Sequence, residues 1–118
     1  MKVGIDLVDF ERFKFFLEDE NRLKKHFTKN EIAYFNNFSE KLSHISGCFC
    51  AKEAFAKALK LGFGQHLSPI DIEVLHDNNG AVYINTDNLK IKNLLNGKNV
   101  EINISHSKTT STAVCVIF

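Results

Sequence analysis

No stretch of the sequence approaches the roughly twenty consecutive apolar residues that cross a bilayer, and the opening residues MKVGIDLVD lack the apolar core of a signal peptide. A membrane span or a secretory signal is therefore not expected, and the cytoplasm is the default compartment. Charge of one sign is also missing. Fifteen basic side chains against fourteen acidic ones leave a net +1, with a pI of about 7.7, which gives no global attraction to nucleic acid or to a membrane surface. Cysteine occurs three times, at Cys48, Cys50 and Cys115. An odd number with a C-x-C spacing suits neither a disulfide framework nor a C-x-x-C motif, and the surrounding patterns are apolar, so the three read as reduced core residues. There is no internal repeat, linker or low-complexity segment, and the chain of 118 residues is expected to form one domain, 1–118.

What the sequence does have is a core. Hydrophobic residues make up 44% of it and phenylalanine occurs eleven times, enough for a small but real interior. Lys2–Asp9 alternates in the manner of a half-buried strand, with Val3, Ile5 and Leu7 as its apolar face. Asp6 then points away from that face, either into solvent or toward something cationic. Phe10, Phe13, Phe16 and Leu17 recur at helical spacing with Arg12 and Lys14 outward. Thr28-Lys-Asn-Glu31 is a capping box that opens a second helix with Ile32, Phe35 and Phe38 inward. Ser39 is a plausible cap for a long helix running to Leu61, and Gly47 within it predicts close packing on the first strand or its neighbours. After Pro69 the period changes: Ile70, Ile72 and Val74 alternate, Asn78-Asn79-Gly80 turns, and Ala81–Ile84 completes a hairpin. A short helix over about Asp87–Asn96, closed by Gly97, precedes a strand with Val100, Ile102 and Ile104 that ends at Ser105-His106-Ser107. Thr112–Phe118 is a near-continuous apolar strand, expected to be covered on both faces.

The stretch Phe49–Gly64, FCAKEAFAKALKLGFG, carries most of the chemistry. Glu53, Lys57 and Lys60 stand at i, i+4 and i+7 and share one edge of the predicted helix. On a solvated surface such a Glu–Lys pair would be worth only a few tenths of a kcal/mol. The small residues Ala51, Ala54, Ala56 and Ala58, and the ending Gly62-Phe63-Gly64, favour close approach of backbone or of a phosphate instead. Two carboxylates on separate elements, Asp6 and Glu53, can hold a magnesium ion, with Lys57, Lys60 and the Gly62 and Gly64 backbone offering positive charge beside it. The group suits a pyrophosphate. His106, between two hydroxyl residues, reads as a phosphate contact or proton carrier, although a lone histidine is more often a surface or capping residue.

GIDLVDFERF at the start, FCAKEAFAKAL followed by GFG, DNNG before a short strand, and INISHS near the end stand in the order and spacing of the small bacterial holo-[acyl-carrier-protein] synthases. Over nearly its whole length the sequence closely resembles that branch of the 4′-phosphopantetheinyl transferases. The resemblance implies a single α+β domain in which one long helix packs on a small, mainly antiparallel sheet. It implies magnesium-dependent transfer of phosphopantetheine from coenzyme A to a serine of acyl carrier protein, with release of adenosine 3′,5′-bisphosphate, in support of fatty acid biosynthesis. By the same resemblance Asp6 and Glu53 bind the metal, Lys57 meets the pyrophosphate, and His106 lies in the coenzyme A site. Arg12, with Lys14 near it, belongs to the carrier-docking helix. Either Glu53 or a metal-bound water takes the serine proton, and the enzyme is a homotrimer with sites between subunits. The sequence departs from the family at Gln65, where a basic residue is common after the Gly-x-Gly turn. A non-catalytic module holding an acidic protein or RNA through Lys14, Arg22, Lys24 and Lys25 would need exposed stacking aromatics. The phenylalanines fall on apolar helical faces instead, and there is no tryptophan.

Overall fold

The computed structural model describes residues 1–118 and has the α+β architecture that the sequence predicts. Strands β1 (Lys2–Asp9), β4 (Val100–His106) and β5 (Thr110–Ile117) form an antiparallel sheet in the order β1-β5-β4, and β2 (Val74–His76) pairs with β3 (Val82–Ile84) as a separate hairpin. Helices α1 (Glu20–His26), α2 (Lys29–Phe35), α3 (Leu42–Ala58) and α4 (Leu89–Leu95) complete the fold, with α3 lying across the inner face of the three-stranded sheet. No helix is long and apolar enough to cross a membrane.

The helix sits where it does because of one glycine. A Cβ on Gly4 would lie 1.9 Å from the carbonyl oxygen of Ala54 and 2.6 Å from the amide nitrogen of Ala58, so β1 and α3 meet backbone to backbone. Ala51, Ala54 and Ala58 are fully buried at this crossing. The contact reverses the expected sidedness of β1. Gly4, Asp6 and Val8 face the helix, whereas Val3, Ile5 and Leu7 remain 50%, 64% and 68% exposed. Alternation in the sequence is real, but the side that can approach a helix this closely is the one carrying the glycine.

The same parity holds across the sheet. Asp6 is paired with Ala113, and Ala113 with Ile104; Ser111, Ala113, Cys115 and Ile117 are buried under α3, while Thr112, Val114 and Val116 are not. Within one chain β5 is thus covered on one face only, not on both. Gly47 of α3 packs not on β1 but on the strands beyond it: its Cβ would meet Ile104 Cγ2 of β4 at 3.2 Å and Ser111 Oγ of β5, the neighbour of β1, at 3.8 Å. All three cysteines are free and buried, as expected of core residues.

Several element ends differ from the sequence expectation for local reasons. Phe10–Leu17 is a 3-10 helix, in which Phe13 and Phe16, three apart, share the buried side. α3 starts at Leu42 because the Glu40 carboxylate, not Ser39, accepts from the Leu42 and Ser43 amides. Pro69–Asp71 is a 3-10 turn closed by a Ser68–Asp71 capping box, which delays β2 to Val74.

Both halves of the Thr28–Glu31 capping box are formed. Glu31 does more than cap. Its buried carboxylate accepts from Lys52 Nζ at 2.7 Å, from the Val74 amide at 2.8 Å and from Cys48 Sγ at 3.2 Å. Lys52, also fully buried, donates to the carbonyls of His26 and Pro69. A buried ion pair is stable when its remaining donors and acceptors are satisfied, and here they tie α1, α2, α3 and the hairpin together.

Candidate active site

At the crossing of β1 and α3 three of the sequence-derived residues converge. Lys57 Nζ donates to Asp6 Oδ1 at 2.9 Å and to the Ile5 carbonyl at 3.1 Å. Asp6 is mostly enclosed, its side chain 12% exposed, whereas that of Lys57 is 51% exposed. The backbone of Asp6 is fixed from the other side, where its carbonyl accepts from Thr112 Oγ1 at 2.8 Å. Of the two alternatives for Asp6, solvent or a cation, the fold realises the second.

Glu53 stands one turn before Lys57 on α3 and completes the group. Burial raises its carboxyl above the usual range, the negative charge of Asp6 raises it further, and Lys57 and Arg12 act against both. The hydrogen bond to Asp6 raises the Lys57 ammonium above its ordinary value, so it stays charged. Cys50, close by in the core, is pushed up to about 12 by burial and then by Asp6, which keeps it a thiol.

A metal ion fits this group on one specific observation. Asp6 Oδ2 is buried and has no hydrogen-bond partner, and an ionised carboxylate oxygen in that state is costly unless a cation meets it. No three His, Cys, Asp or Glu residues are grouped as a ligand set. Asp6 and Glu53 are the two carboxylates here that could hold a hard cation, which takes about six oxygens and would draw the others from substrate and water. Soft or tetrahedral metals have no ligand set here.

The remaining residues divide. Lys60 does not continue the stripe of Glu53 and Lys57: α3 ends at Ala58, and Lys60 adopts a left-handed conformation with φ 64°. Helical spacing ceases to place a side chain once the helix has ended. Gly62, at φ 66°, and Gly64 both border open space. Their amides, however, are used within the chain, Gly62 on the Ala56 carbonyl and Gly64 on that of Leu67, so the turn offers room for a ligand but not the free backbone donors expected of it. Arg12 lies over the Phe13 ring at 5.7 Å, and Lys14 pairs with Glu11 at 3.3 Å. With Phe10, Leu42 and Lys108 they border a cleft of about 540 Å³.

His106 is not part of the Asp6–Glu53–Lys57 group. It ends β4 and lines a pocket of about 310 Å³ with Tyr34, His44, His76 and Gly80. His76 stacks on Tyr34 at 3.9 Å and His44 on Phe38 at 3.6 Å; burial lowers both imidazoles below their ordinary value. His44 and His76 escape a reading of the sequence because they come from separate segments with no common spacing.

The comparisons with known proteins agree with this fold. The family model for the 4′-phosphopantetheinyl transferase superfamily matches residues 2–116. A holo-[acyl-carrier-protein] synthase from Clostridium botulinum is 40% identical over 117 residues, 98% of this chain and 94% of the relative. One from Finegoldia magna is 35% identical over 99% of this chain and 95% of its own length. Among solved structures, the Helicobacter pylori holo-[acyl-carrier-protein] synthase in complex with coenzyme A superposes with a TM-score of 0.84 at 30% identity, covering 98% of this chain and 99% of that one. The Bacillus anthracis enzyme in complex with CoA (3′,5′-ADP) gives a TM-score of 0.82 at 30% identity, with 98% and 94% coverage.

Proposed function

Since the chain belongs to the holo-[acyl-carrier-protein] synthases of the 4′-phosphopantetheinyl transferase superfamily, and is thus a phosphopantetheinyl transferase, we propose that the Asp6–Glu53–Lys57 group is its catalytic centre. The reaction moves 4′-phosphopantetheine from coenzyme A to a serine hydroxyl of apo-acyl carrier protein: the serine oxygen bonds to the phosphorus that bears the pantetheine arm, and the bond to adenosine 3′,5′-bisphosphate breaks. The resulting holo-carrier serves fatty acid biosynthesis in the cytoplasm.

The observation that carries the reading is the buried, unpartnered Asp6 Oδ2 beside Glu53 and Lys57. Asp6 and Glu53 would hold magnesium, which when bound supplies positive charge against the pyrophosphate. Lys57 stabilises the charge that grows on the departing bisphosphate, an interaction that strengthens toward the transition state. Glu53 directly, or a water at the site, accepts the serine proton. Lys60 and the open turn at Gly62 and Gly64 border the path of coenzyme A, and His106 contacts it from the histidine-lined pocket. Arg12 and Lys14, on one exposed 3-10 helix, give the acidic carrier a basic surface to dock on.

The outer face of the sheet supports a homotrimer. Val3, Ile5, Leu7 and Val114 form an exposed apolar patch across β1 and β5, and a patch of this kind suits a protein–protein contact such as one between copies of the chain. Burial there would also supply the second cover that β5 lacks within one chain. The function is tested by intact mass spectrometry of apo-acyl carrier protein incubated with the enzyme, coenzyme A and magnesium. Gain of one phosphopantetheine is expected, and an unchanged carrier mass would refute the activity.

A further inference from the structure

Lys57 has two partners to serve. Its ammonium is held by Asp6 Oδ1 and the Ile5 carbonyl, yet its proposed task is at the pyrophosphate of coenzyme A. Lys57 holds Asp6 Oδ1 while Oδ2 has no partner, so a divalent cation arriving at Oδ2 meets an ammonium on the neighbouring oxygen, and the two positive charges repel at such short range.

The repulsion is relieved when one of the groups moves, and the surroundings identify which. Asp6 is fixed in β1, paired with Ala113 and held through its carbonyl by Thr112. Its carboxylate is nearly enclosed. Lys57 is half exposed, on a flexible four-carbon stem at the end of α3, where a change of rotamer moves the ammonium without moving backbone. We infer that Lys57 is a displaceable placeholder: its ammonium neutralises Asp6 until a divalent cation takes the carboxylate, and the displaced ammonium is then free for the coenzyme's phosphates.

The inference rests on the reading of Asp6 and Glu53 as metal ligands and adds an order to it. The metal and the coenzyme A phosphates become coupled through Lys57, since each removes a competitor for the other, and coupling of this kind is reciprocal. Lys57 also prevents the pair of carboxylates from standing uncompensated before the metal arrives.

The test is binding of manganese alone, followed by electron paramagnetic resonance without coenzyme A, in the wild-type enzyme and in Lys57→Met, Lys57→Arg and Asp6→Asn. Lys57→Met is expected to bind manganese about three- to tenfold more tightly, the scale of losing one half-exposed competing ion pair together with its repulsion. Lys57→Arg keeps the competing cation and should bind as the wild type does. Adding coenzyme A should tighten manganese binding in the wild type and do so much less in Lys57→Met. If Lys57→Met binds manganese equally or more weakly while Asp6→Asn loses it, the placeholder is overturned and the metal site stands. If Asp6→Asn binds as the wild type does, the metal lies elsewhere and both readings fall.

Discussion

Gly4 and Ala54 are in contact with no room for a side chain between them: a Cβ on Gly4 would stand 1.9 Å from the Ala54 carbonyl oxygen. That approach seats α3 on β1, turns Asp6 toward the helix, and so brings a strand carboxylate to Glu53 and Lys57. Gly4→Ala must push the helix away or twist the strand. Overpacking of this type costs about 1–3 kcal/mol, and here the obstacle is backbone rather than a yielding side chain. Gly4→Ala is therefore expected to lower the urea midpoint and to cut turnover more steeply than stability alone explains, measured on the fraction that remains folded.

The metal assignment makes a cleaner separation. Asp6→Asn and Glu53→Gln each remove the negative charge and one of the two carboxylate oxygens with little change in volume, and each should reduce turnover at least about a hundredfold with an unaltered circular dichroism spectrum. EDTA should reproduce the loss, with recovery on adding magnesium. Normal magnesium-dependent rates in Asp6→Asn would remove that residue from the site.

A third expectation concerns docking. Arg12 is exposed on the 3-10 helix beside Lys14, and attraction between exposed charges is screened over about 8–10 Å at ordinary ionic strength. The KM for acyl carrier protein should rise with salt, and Arg12→Glu should raise it far more than the KM for coenzyme A. Equal effects on both substrates would show that Arg12 is not a docking residue.

A fourth concerns stability away from the chemistry. Lys52→Met leaves the buried Glu31 carboxylate without its cation, and removing one partner of a buried pair costs about 3–5 kcal/mol. A correspondingly lower urea midpoint is expected. A midpoint equal to the wild type's would mean that the pair does not hold the helices together.

Much of this was legible in the sequence, and the gaps have physical causes. The capping box at Thr28 and Glu31 and the turn before β3 are local signals, and local geometry honours them; the short helix also forms, over Leu89–Leu95, with Asn96 at φ 49° as its left-handed cap before Gly97. Sidedness is different. The alternation in β1 defines two faces, but which one is buried was decided by Gly4 meeting α3, a tertiary contact with no local signature. α1 escaped notice because it buries no residue fully and so shows no apolar stripe; its one signal is Asp19, which caps the Arg22 amide. Glu53 and Lys57 could be placed together by helical spacing, whereas Lys60 lies past the helix end, where spacing no longer constrains position. Glu31 was read correctly as a cap, but its pairing with Lys52 depends on two helices whose packing the sequence pattern leaves unspecified.

Lys57 either takes part in transfer or serves only as the ion-pair partner of Asp6. A half-exposed pair contributes at most about 1 kcal/mol to stability, so the two roles separate in a single variant. The decisive measurement is kcat of Lys57→Ala at saturating coenzyme A and magnesium, taken beside its urea midpoint. Catalytic participation predicts a loss of roughly two orders of magnitude in kcat with a midpoint close to the wild type's; a normal kcat with a slightly lowered midpoint would contradict it.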